Sequence, residues 1–281
     1  MTANNVVFAI ESPQHYLNPE FSNNLDRFGE AVKSLGINYA YIPRNIINNF
    51  YDIPEYCVVG DPIVIAYGSI QFVRGLKIPH FAYGWSGTDW ASTSAHIPRH
   101  ILINSDYNIT TWSDLKLNFL WWMERFDSIG LFVRPVSDKK TFAGTTIPRT
   151  NYDNYMRALE QTSSVLPETL CVISSIKHLV AEYRFWVVDR EIVSSSEAYG
   201  PSSFFVPVAN VVPDHIYKFA TTITKLDWQP DSCYTLDVGV MKDGSLGVME
   251  LNSFCTAGFY DADLVPIVKA VVRQAIRDHN P

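Results

Sequence analysis

The sequence is short of positive charge, of paired cysteines and of long apolar runs, and each absence excludes a class of protein. Acidic residues outnumber basic ones by 29 to 22, which gives a net charge of −7. This charge argues against general binding to nucleic acid or to anionic membranes, since both need a basic face. We therefore expect neither partner, although a local basic pocket for a phosphorylated small molecule remains compatible with this charge.

Marks of secretion and of membrane insertion are also missing. Residues 1–5 carry no basic segment, and no long apolar segment follows them. The most apolar runs, residues 63–73 and 117–123, are shorter than the roughly 20 residues that span a bilayer. The four cysteines are scattered without a C-x-x-C pair, which favours buried thiols in a reducing compartment. We therefore expect the protein in the cytoplasm.

Several sequence signatures of catalysis and nucleotide binding are absent. Neither G-x-x-x-x-G-K-[ST] nor G-x-G-x-x-G occurs, and no Ser-His-Asp or Cys-His set is evident. His96 and His100 have the spacing of a helical metal site, but Pro98 between them disrupts the helix that would align the two rings. We therefore predict no metal there. Internal repeats and low-complexity tracts are also absent.

The 281 residues, 47% of them hydrophobic and 14% aromatic, suffice for two globular domains or one large one. Residues 6–10, 37–42 and 62–67 are predicted strands, and residues 19–35 have helical spacing of apolar side chains. Strands alternating with helices predict a small α/β domain with a mainly parallel sheet. Residues 79–108 are predicted to be irregular. Their aromatic side chains could line a substrate pocket or pack a seam between domains, and we favour packing.

The rest of the chain is expected to contain further helices and strands. A helix capped by Thr110, Thr111 or Ser113 is predicted to end before Gly130. The other predicted elements are strands at 131–135 and 170–174, a helix at 151–162, a hairpin at 183–188 and 191–195, and helices at 213–225 and 262–277, with Pro213 as the first helical residue.

A hairpin between residues 233 and 260 carries the most informative polar residues. Asp243 and Gly244 supply the turn, and side chains alternate along both strands. The period of two places Asp237 on one strand, with Glu250 and Asn252 on one face of the other. Carboxylate and amide oxygens are ligands that Mg²⁺ prefers. The alternative is a half-exposed hairpin whose acids face water.

A second polar group follows the predicted strand at 131–135. Arg134 is flanked by apolar residues, and the loop after it contains Lys139, Lys140 and Gly144. Together these residues would bind an anion. The arginine can offer two parallel hydrogen bonds, the lysines carry flexible positive charges, and the glycine lets backbone N–H groups approach an anionic oxygen. The alternative is a solvated turn, but a guanidinium on an apolar strand is costly to bury without a partner.

Glu182 and Arg184 form the third group. They are two residues apart on a predicted strand and therefore share one face. Arg184 could neutralise charge on a transferred phosphoryl group, and Glu182 could hold a ribose or an acceptor group. The alternative is that they pair with each other or with charges on a neighbouring strand.

Taken in order, these motifs resemble an ATP-grasp domain. The matching segments are F-V-R-P, K-x-F-x-G, V-I-S-S-I-K, E-Y-R-F, D-V-G and E-L-N-S-F followed by A-G-F-Y, from about Leu117 to the end. They are most similar to the clade named for two arginines and one lysine, which is common in phage and bacterial genomes. The resemblance implies an ATP-grasp fold, with two α+β subdomains that grip ATP and a small α/β domain before them. We expect domains at 1–112 and 113–281, with subdomains at about 113–175 and 176–281.

The resemblance also implies roles for single residues around ATP and Mg²⁺, with Mn²⁺ as an alternative ion. Arg134 stands where the family often has a lysine that binds phosphate. The residues implied to contact ATP are Arg134, Lys139, Lys140, Gly144, Ser174, Ser175, Ile176, Lys177 and Glu182. Catalysis would depend on Arg184, Arg134 and Lys140, and the metal would be held by Asp237, Glu250 and Asn252.

The usual reaction of the family activates a carboxylate as an acyl phosphate, which an amine then captures. The resemblance therefore implies a ligase for small-molecule, peptide or protein carboxylates and amines. Two alternatives remain: a kinase-like enzyme that phosphorylates a different acceptor, and a nucleotide-binding module without turnover.

Overall fold

The computed structural model describes residues 5–15, 19–44, 51, 53–57, 59–137, 141–199 and 212–279. In these ranges the chain forms three sheets, each covered by helices. None of the helices within them is long and apolar enough to cross a membrane.

The first sheet is parallel, as predicted. Its strands are β1 (Val6–Glu11), β2 (Asn38–Ile42) and β3 (Ile63–Tyr67), with β1 in the centre. Helix α1 (Pro19–Ser34) and the C-terminal helix α8 (Leu264–His279) contact each other and this sheet. Both faces of β1 are buried, which explains why its sequence is a continuous apolar run.

The second sheet is antiparallel, in the order β4-β7-β5-β6. Its strands are β4 (Asn108–Thr111), β5 (Gly130–Pro135), β6 (Thr145–Pro148) and β7 (Leu170–Ser175). Helices α4 (Trp112–Leu117), α5 (Phe119–Arg125) and α6 (Tyr152–Thr162) cover one face of it. Their buried residues there are Trp112, Leu115, Phe119, Met123 and Met156, whereas Leu117, Leu120 and Trp121 are exposed. The predicted strand that carries Arg134 is confirmed as β5.

The third sheet is antiparallel, in the order β11-β10-β8-β9. Its strands are β8 (Leu179–Val188), β9 (Glu191–Tyr199), β10 (Cys233–Met241) and β11 (Leu246–Ser253), and helix α7 (Asp214–Thr224) packs on it. Along β8, Tyr183 and Phe185 are buried on the face that α7 covers, whereas Trp186 belongs to the core shared with the first sheet. Both predicted hairpins, β8–β9 and β10–β11, are confirmed.

The segment after β11 joins the third sheet to the first. The Tyr67 hydroxyl donates to the Ala257 carbonyl at 2.7 Å, and the Gly68 amide donates to the Cys255 carbonyl at 2.9 Å. The Phe259 ring stacks on Phe28 of α1 with ring centroids 5.0 Å apart. These contacts hold the end of β11 against the carboxyl edge of the parallel sheet.

Three sequence predictions need correction. The segment predicted as irregular contains helix α3 (Trp90–His96), because the Asp89 carboxylate caps it by accepting the Ser92 amide at 3.0 Å. The single helix predicted before Gly130 is two helices, α4 and α5, since Asn118 lies between them outside helical geometry. Pro213 is the N-cap of α7 rather than its first helical residue.

Gly84 allows the chain before α3 to pass close to the end of β11. Its φ is +72°, and a Cβ there would lie 2.6 Å from the Cα of Ser253. We expect Gly84→Ala to lower the free energy of unfolding by about 3–5 kcal/mol, because left-handed strain adds to the steric overlap. Gly244→Ala is the matched control, since its φ is +83° but no heavy atom lies within 4 Å of the added Cβ. It should cost about 1–2 kcal/mol in the same urea titration, and equal losses would contradict the proposed overlap.

Candidate active site

Asp237, Glu250 and Asn252 meet on the β10–β11 hairpin, as the strand period predicted. Asp237 lies directly opposite Glu250 in the ladder. The Asn252 side-chain amide donates to Asp237 Oδ2 at 2.9 Å and to Glu250 Oε1 at 2.7 Å. The register shifts after Asp237, and this bulge leaves Met249 without a ladder partner beside Glu250. The hairpin therefore presents a compact set of oxygen and amide groups.

Each of the two acids is held by an arginine from a different strand. Arg184 of β8 donates two hydrogen bonds to Asp237, from Nε at 2.7 Å and from Nη2 at 2.6 Å. Arg134 of β5 forms an ion pair with Glu250, with 2.9 Å between Nη1 and Oε2. Its guanidinium lies over the Trp90 ring. Asp237 is fully buried and Arg184 is 6% exposed. The structure thus brings the predicted cations and the predicted metal ligands into direct contact.

A cavity of about 410 Å³ opens between the second and third sheets. It is lined by Asn104, Phe132, Arg134, Pro135, Ser137, Phe142, Ala143, Gly144, Leu179, Glu182, Met249, Glu250 and Asn252. Five predicted site residues are in this set: Arg134, Gly144, Glu182, Glu250 and Asn252. Lys139 and Lys140 lie outside the described residues, so their roles remain predictions.

The segment from Ser174 to Lys177 connects the second sheet to the third, where a hinge was predicted. The Ser174 hydroxyl is buried and donates to Asn104 Oδ1 at 3.1 Å. Lys177 Nζ donates to Asp106 Oδ1 at 2.8 Å and to Ser175 Oγ at 2.6 Å. Although burial opposes it, hydrogen bonding from Lys177 and Ser175 lowers the pKa of Asp106.

The Ile176 amide in the same segment donates to Ser128 Oγ at 3.4 Å. Ser174, Ser175, Ile176 and Lys177 are all described residues, yet none of them is among the residues that line the 410 Å³ cavity. Polar contacts with Asn104, Asp106 and Ser128 hold this segment in place. Contact between these four residues and ATP therefore remains a prediction.

A second cavity of about 430 Å³ lies on the other side of Glu182 and Glu250, which line both cavities. Its remaining walls are Ser69 and Ile70 at the start of helix α2 (Ile70–Gly75), Arg184, and Thr256, Gly258 and Tyr260 after β11. The motifs E-Y-R-F, E-L-N-S-F and A-G-F-Y carry five of these eight wall residues. The sequence did not predict that Ser69 and Ile70 join them, because these two lie more than a hundred residues before Glu182.

Tyr260 occupies a strained position beside the second cavity. Its φ is +46°, which is rare for an aromatic residue, and its ring centroid lies 5.0 Å from the Arg184 guanidinium carbon. The Tyr260 carbonyl accepts a hydrogen bond from Arg27 of α1. The first sheet and its helix thus help to hold an aromatic ring against a buried arginine.

The fold disfavours ionisation of Glu182. Burial raises the pKa of Glu182 to about 7, and the neighbouring carboxylates of Asp237 and Glu250 contribute to this rise, against the effect of Arg184. Because Glu182 and Arg184 project from the same face of β8, as predicted, Glu182 lies next to the Arg184–Asp237 pair.

Glu182→Gln is expected to become more stabilising as the pH rises. The unfolded chain loses the Glu182 proton near 4.5, whereas the native protein keeps it to about 7. The native state therefore loses stability between these pH values, and a neutral glutamine avoids that loss. We expect the stability difference to shift in favour of the variant by about 2–3 kcal/mol between pH 4.5 and 8, measured by urea unfolding. Glu191→Gln, at an exposed site on β9, should show no such shift.

The 410 Å³ cavity fits a nucleotide with a divalent ion in size and in chemistry. Its volume is in the usual range for ligand pockets. Phe132, Phe142, Leu179 and Met249 form an apolar part suited to a flat ring. Arg134 supplies a charge for phosphate, and Glu250 and Asn252 supply hard oxygen ligands. Asn104, Phe142, Leu179 and Met249 were not predicted from the sequence.

More than half of the chain matches the model of a known domain family. Residues 109–270 match the model of an ATP-grasp domain family, the second family of the clade named for two arginines and one lysine. A search of curated proteins finds no match.

Solved structures with the same fold include D-cycloserine synthetase DcsG, with a TM-score of 0.62 at 10% identity over 96% of this chain and 99% of that one. Another is D-alanine–D-alanine ligase from Bacillus anthracis complexed with ATP (0.59 at 14% identity, over 97% and 98%). A third is macrocyclase MdnC from Microcystis aeruginosa, bound with precursor peptide MdnA (0.54 at 12% identity, over 97% and 99%). These identities are low, so the likeness shows the fold.

Proposed function

The chain belongs to the ATP-grasp domain family, in the clade named for two arginines and one lysine, and from this premise we propose that it is an ATP-dependent ligase that joins a carboxylate to an amine. The observation that carries the proposal is a cavity between two antiparallel sheets that is lined by Arg134, Glu250 and Asn252. The buried Arg184–Asp237 pair is joined to this lining through the Asn252 amide. Ligases are among the solved structures that share the fold.

ATP would supply the phosphoryl group, and Mg²⁺ or Mn²⁺ would neutralise part of the negative charge on its phosphates. Phe132, Phe142, Leu179 and Met249 would hold the base in the apolar part of the cavity. Arg134, whose guanidinium can offer two parallel hydrogen bonds, would bind phosphate oxygens. Lys139, Lys140 and Gly144 would cover the phosphates, and Ser174 to Lys177 would support the base from the hinge.

Asp237, Glu250 and Asn252 would hold the metal. Since Arg184 occupies both oxygens of Asp237, metal binding at Asp237 requires Arg184 to exchange partners. Arg184 would then be available for the oxygens of the transferred phosphoryl group, where positive charge accelerates transfer. Phosphoryl transfer to a carboxylate requires no general base, which suits a site without a histidine among its described lining residues.

Trapping of the activated acid tests this proposal while the natural amine is still unidentified. The protein would be incubated with ATP, Mg²⁺, hydroxylamine and pools of carboxylic acids. We expect ADP, phosphate and a hydroxamate in equal amounts, because hydroxylamine replaces the amine as the nucleophile. Glu250→Gln should lower this yield at least ~100-fold, since removing groups that stabilise transition-state charge costs two to three orders of magnitude.

Other outcomes of the same assay would contradict the ligase. ADP with a stable phosphorylated product and no free phosphate would indicate a kinase-like reaction. Binding of ATP without turnover across all pools would indicate a nucleotide-binding module. AMP with pyrophosphate would rule out an acyl phosphate.

A further inference from the structure

The buried hydroxyl of Thr235, beside the proposed metal ligands, has no hydrogen-bond partner within the described part of the protein. Thr235 lies directly opposite Asn252 of β11 on one side and Trp186 of β8 on the other. Four buried side-chain polar atoms of the described residues lack a partner, and two of them, Thr235 Oγ1 and Trp186 Nε1, belong to these cross-strand neighbours. Burying a hydroxyl without a hydrogen bond costs free energy. Its presence is explained if it gains a partner in another state of the site.

Asn252 has to change the group that it turns toward the two acids when it binds a metal. In this structure its Nδ2 donates to Asp237 Oδ2 at 2.9 Å and to Glu250 Oε1 at 2.7 Å. N–H donors suit carboxylates but repel a cation, which takes the amide oxygen as its ligand. As a metal ligand, Asn252 must therefore turn its amide so that Oδ1 replaces Nδ2. Nδ2 then needs a new acceptor, because a buried donor without one is costly.

Thr235 is placed to accept a hydrogen bond from the turned amide. Side chains alternate along a strand, so the face of β10 that carries Asp237 also carries Cys233 and Thr235. The same face of β11 carries Glu250 and Asn252. The two acids are assigned to the metal, and Cys233 offers only sulfur, a weak acceptor. Directly opposite side chains of antiparallel strands have Cβ atoms about 4.5–5.5 Å apart, a separation that a hydroxyl and an amide can span with a hydrogen bond.

We propose that Thr235 is a positioning residue for metal binding: its hydroxyl oxygen accepts a hydrogen bond from Nδ2 of Asn252 when Asn252 presents its amide oxygen to the metal. The proposal rests on the function proposed above, which assigns Asn252 to the metal. Trp186, the other cross-strand neighbour of Thr235, carries only an N–H donor and cannot serve as the acceptor. Thr235 acts through Asn252 and is not itself a ligand.

Thr235→Val removes the hydroxyl and preserves the branched shape of the side chain. Calorimetric titrations of the full-length protein with the non-hydrolysable ATP analogue AMPPNP, in Mg²⁺ and in EDTA, measure its effect. We expect Thr235→Val to weaken AMPPNP about tenfold in Mg²⁺, because losing an outer partner of a metal ligand typically costs about 10–100-fold in metal affinity. In EDTA the affinity should not change, since Asn252 then has no metal to bind. Thr235→Ser keeps the hydroxyl and should bind as the wild-type protein does in both conditions.

Thr93→Val is the matched control. Thr93 of α3 is also buried with an unpartnered hydroxyl, but it lines neither the 410 Å³ nor the 430 Å³ cavity. This variant should leave AMPPNP binding unchanged in Mg²⁺ and in EDTA. Both valine variants should unfold at the same urea concentration as the wild-type protein or at a higher one, because neither removes a hydrogen bond of the metal-free protein.

The proposal is overturned if Thr235→Val binds AMPPNP in Mg²⁺ like the wild-type protein, or if Thr235→Ser binds as weakly as Thr235→Val. It is also overturned if Thr235→Val loses affinity equally in Mg²⁺ and in EDTA, or unfolds at a lower urea concentration than the wild-type protein. Either result would give the hydroxyl a structural role that is independent of metal. If the wild-type protein binds AMPPNP no more tightly in Mg²⁺ than in EDTA, the metal assignment of the proposed function fails, and this proposal fails with it.

Discussion

Arg184→Met is expected to lower the free energy of unfolding by about 3–5 kcal/mol, the loss typical of breaking a buried ion pair. Arg184 is 6% exposed, and its partner Asp237 is fully buried with both oxygens bound by Arg184. Methionine preserves most of the side-chain volume but removes the positive charge that binds both oxygens of Asp237. Urea unfolding at a pH of about 7.5, followed by circular dichroism, measures the loss.

Two further variants separate an uncompensated charge from lost packing. Arg125→Met replaces an exposed arginine and should change stability by less than about 0.5 kcal/mol. The double variant Arg184→Met/Asp237→Leu should recover most of the loss, because replacing a whole buried pair by apolar residues is often neutral or stabilising. A double variant as unstable as Arg184→Met would show that shape, and not charge, sets the cost. Neither Arg184 variant should yield hydroxamate in the trapping assay.

Removal of divalent metal is expected to weaken AMPPNP binding at least ~100-fold. The triphosphate would lie close to the carboxyl groups of Glu182, Asp237 and Glu250. Two unit charges of the same sign about 4 Å apart repel by roughly 4 kcal/mol at an effective dielectric constant near 20, which corresponds to almost 1,000-fold in affinity. Screening by salt reduces the effect. Calorimetric titrations in Mg²⁺ and in EDTA measure the ratio.

Glu250→Gln should reduce that ratio to about tenfold or less. Arg134 loses its ion-pair partner in this variant and becomes available to phosphate without a metal, while one repelling charge is removed. Glu168→Gln is the control, since Glu168 is exposed between α6 and β7, and it should preserve the wild-type ratio. Equal affinity of the wild-type protein in Mg²⁺ and in EDTA would contradict the assignment of these acids to metal binding.

The expected instability of Arg184→Met and the expected need for metal in AMPPNP binding follow from one feature of the site. The groups that would bind phosphate and the groups that would bind metal neutralise each other in this structure, through Arg134–Glu250 and Arg184–Asp237. We therefore expect nucleotide and metal to bind together, because either one alone would add charge of one sign to a site whose pairs are already matched.

Strand periodicity predicted which side chains share a face at this site. Alternation along a strand placed Glu182 with Arg184, and it placed Glu250 with Asn252, because successive side chains of a strand point to opposite faces. The turn at Asp243 and Gly244 brings β11 back beside β10, but its register alone would put Met249 opposite Asp237. The bulge after Asp237, which no sequence pattern marks, puts Glu250 there instead. The parallel direction of β1, β2 and β3 was likewise predictable, because predicted strands alternate with a predicted helix in that part of the sequence.

The pairing of each cation with its acid, and the positions of the cavities, depend on how distant segments pack. Arg134 meets Glu250 across 116 positions of chain, and the second cavity joins Ser69 to Tyr260. Leu179 and Met249 line the first cavity, but nothing in the sequence distinguishes them from apolar residues of the core. Such contacts are set by the packing of three sheets against one another, because local periodicity constrains each strand without specifying its neighbours in space.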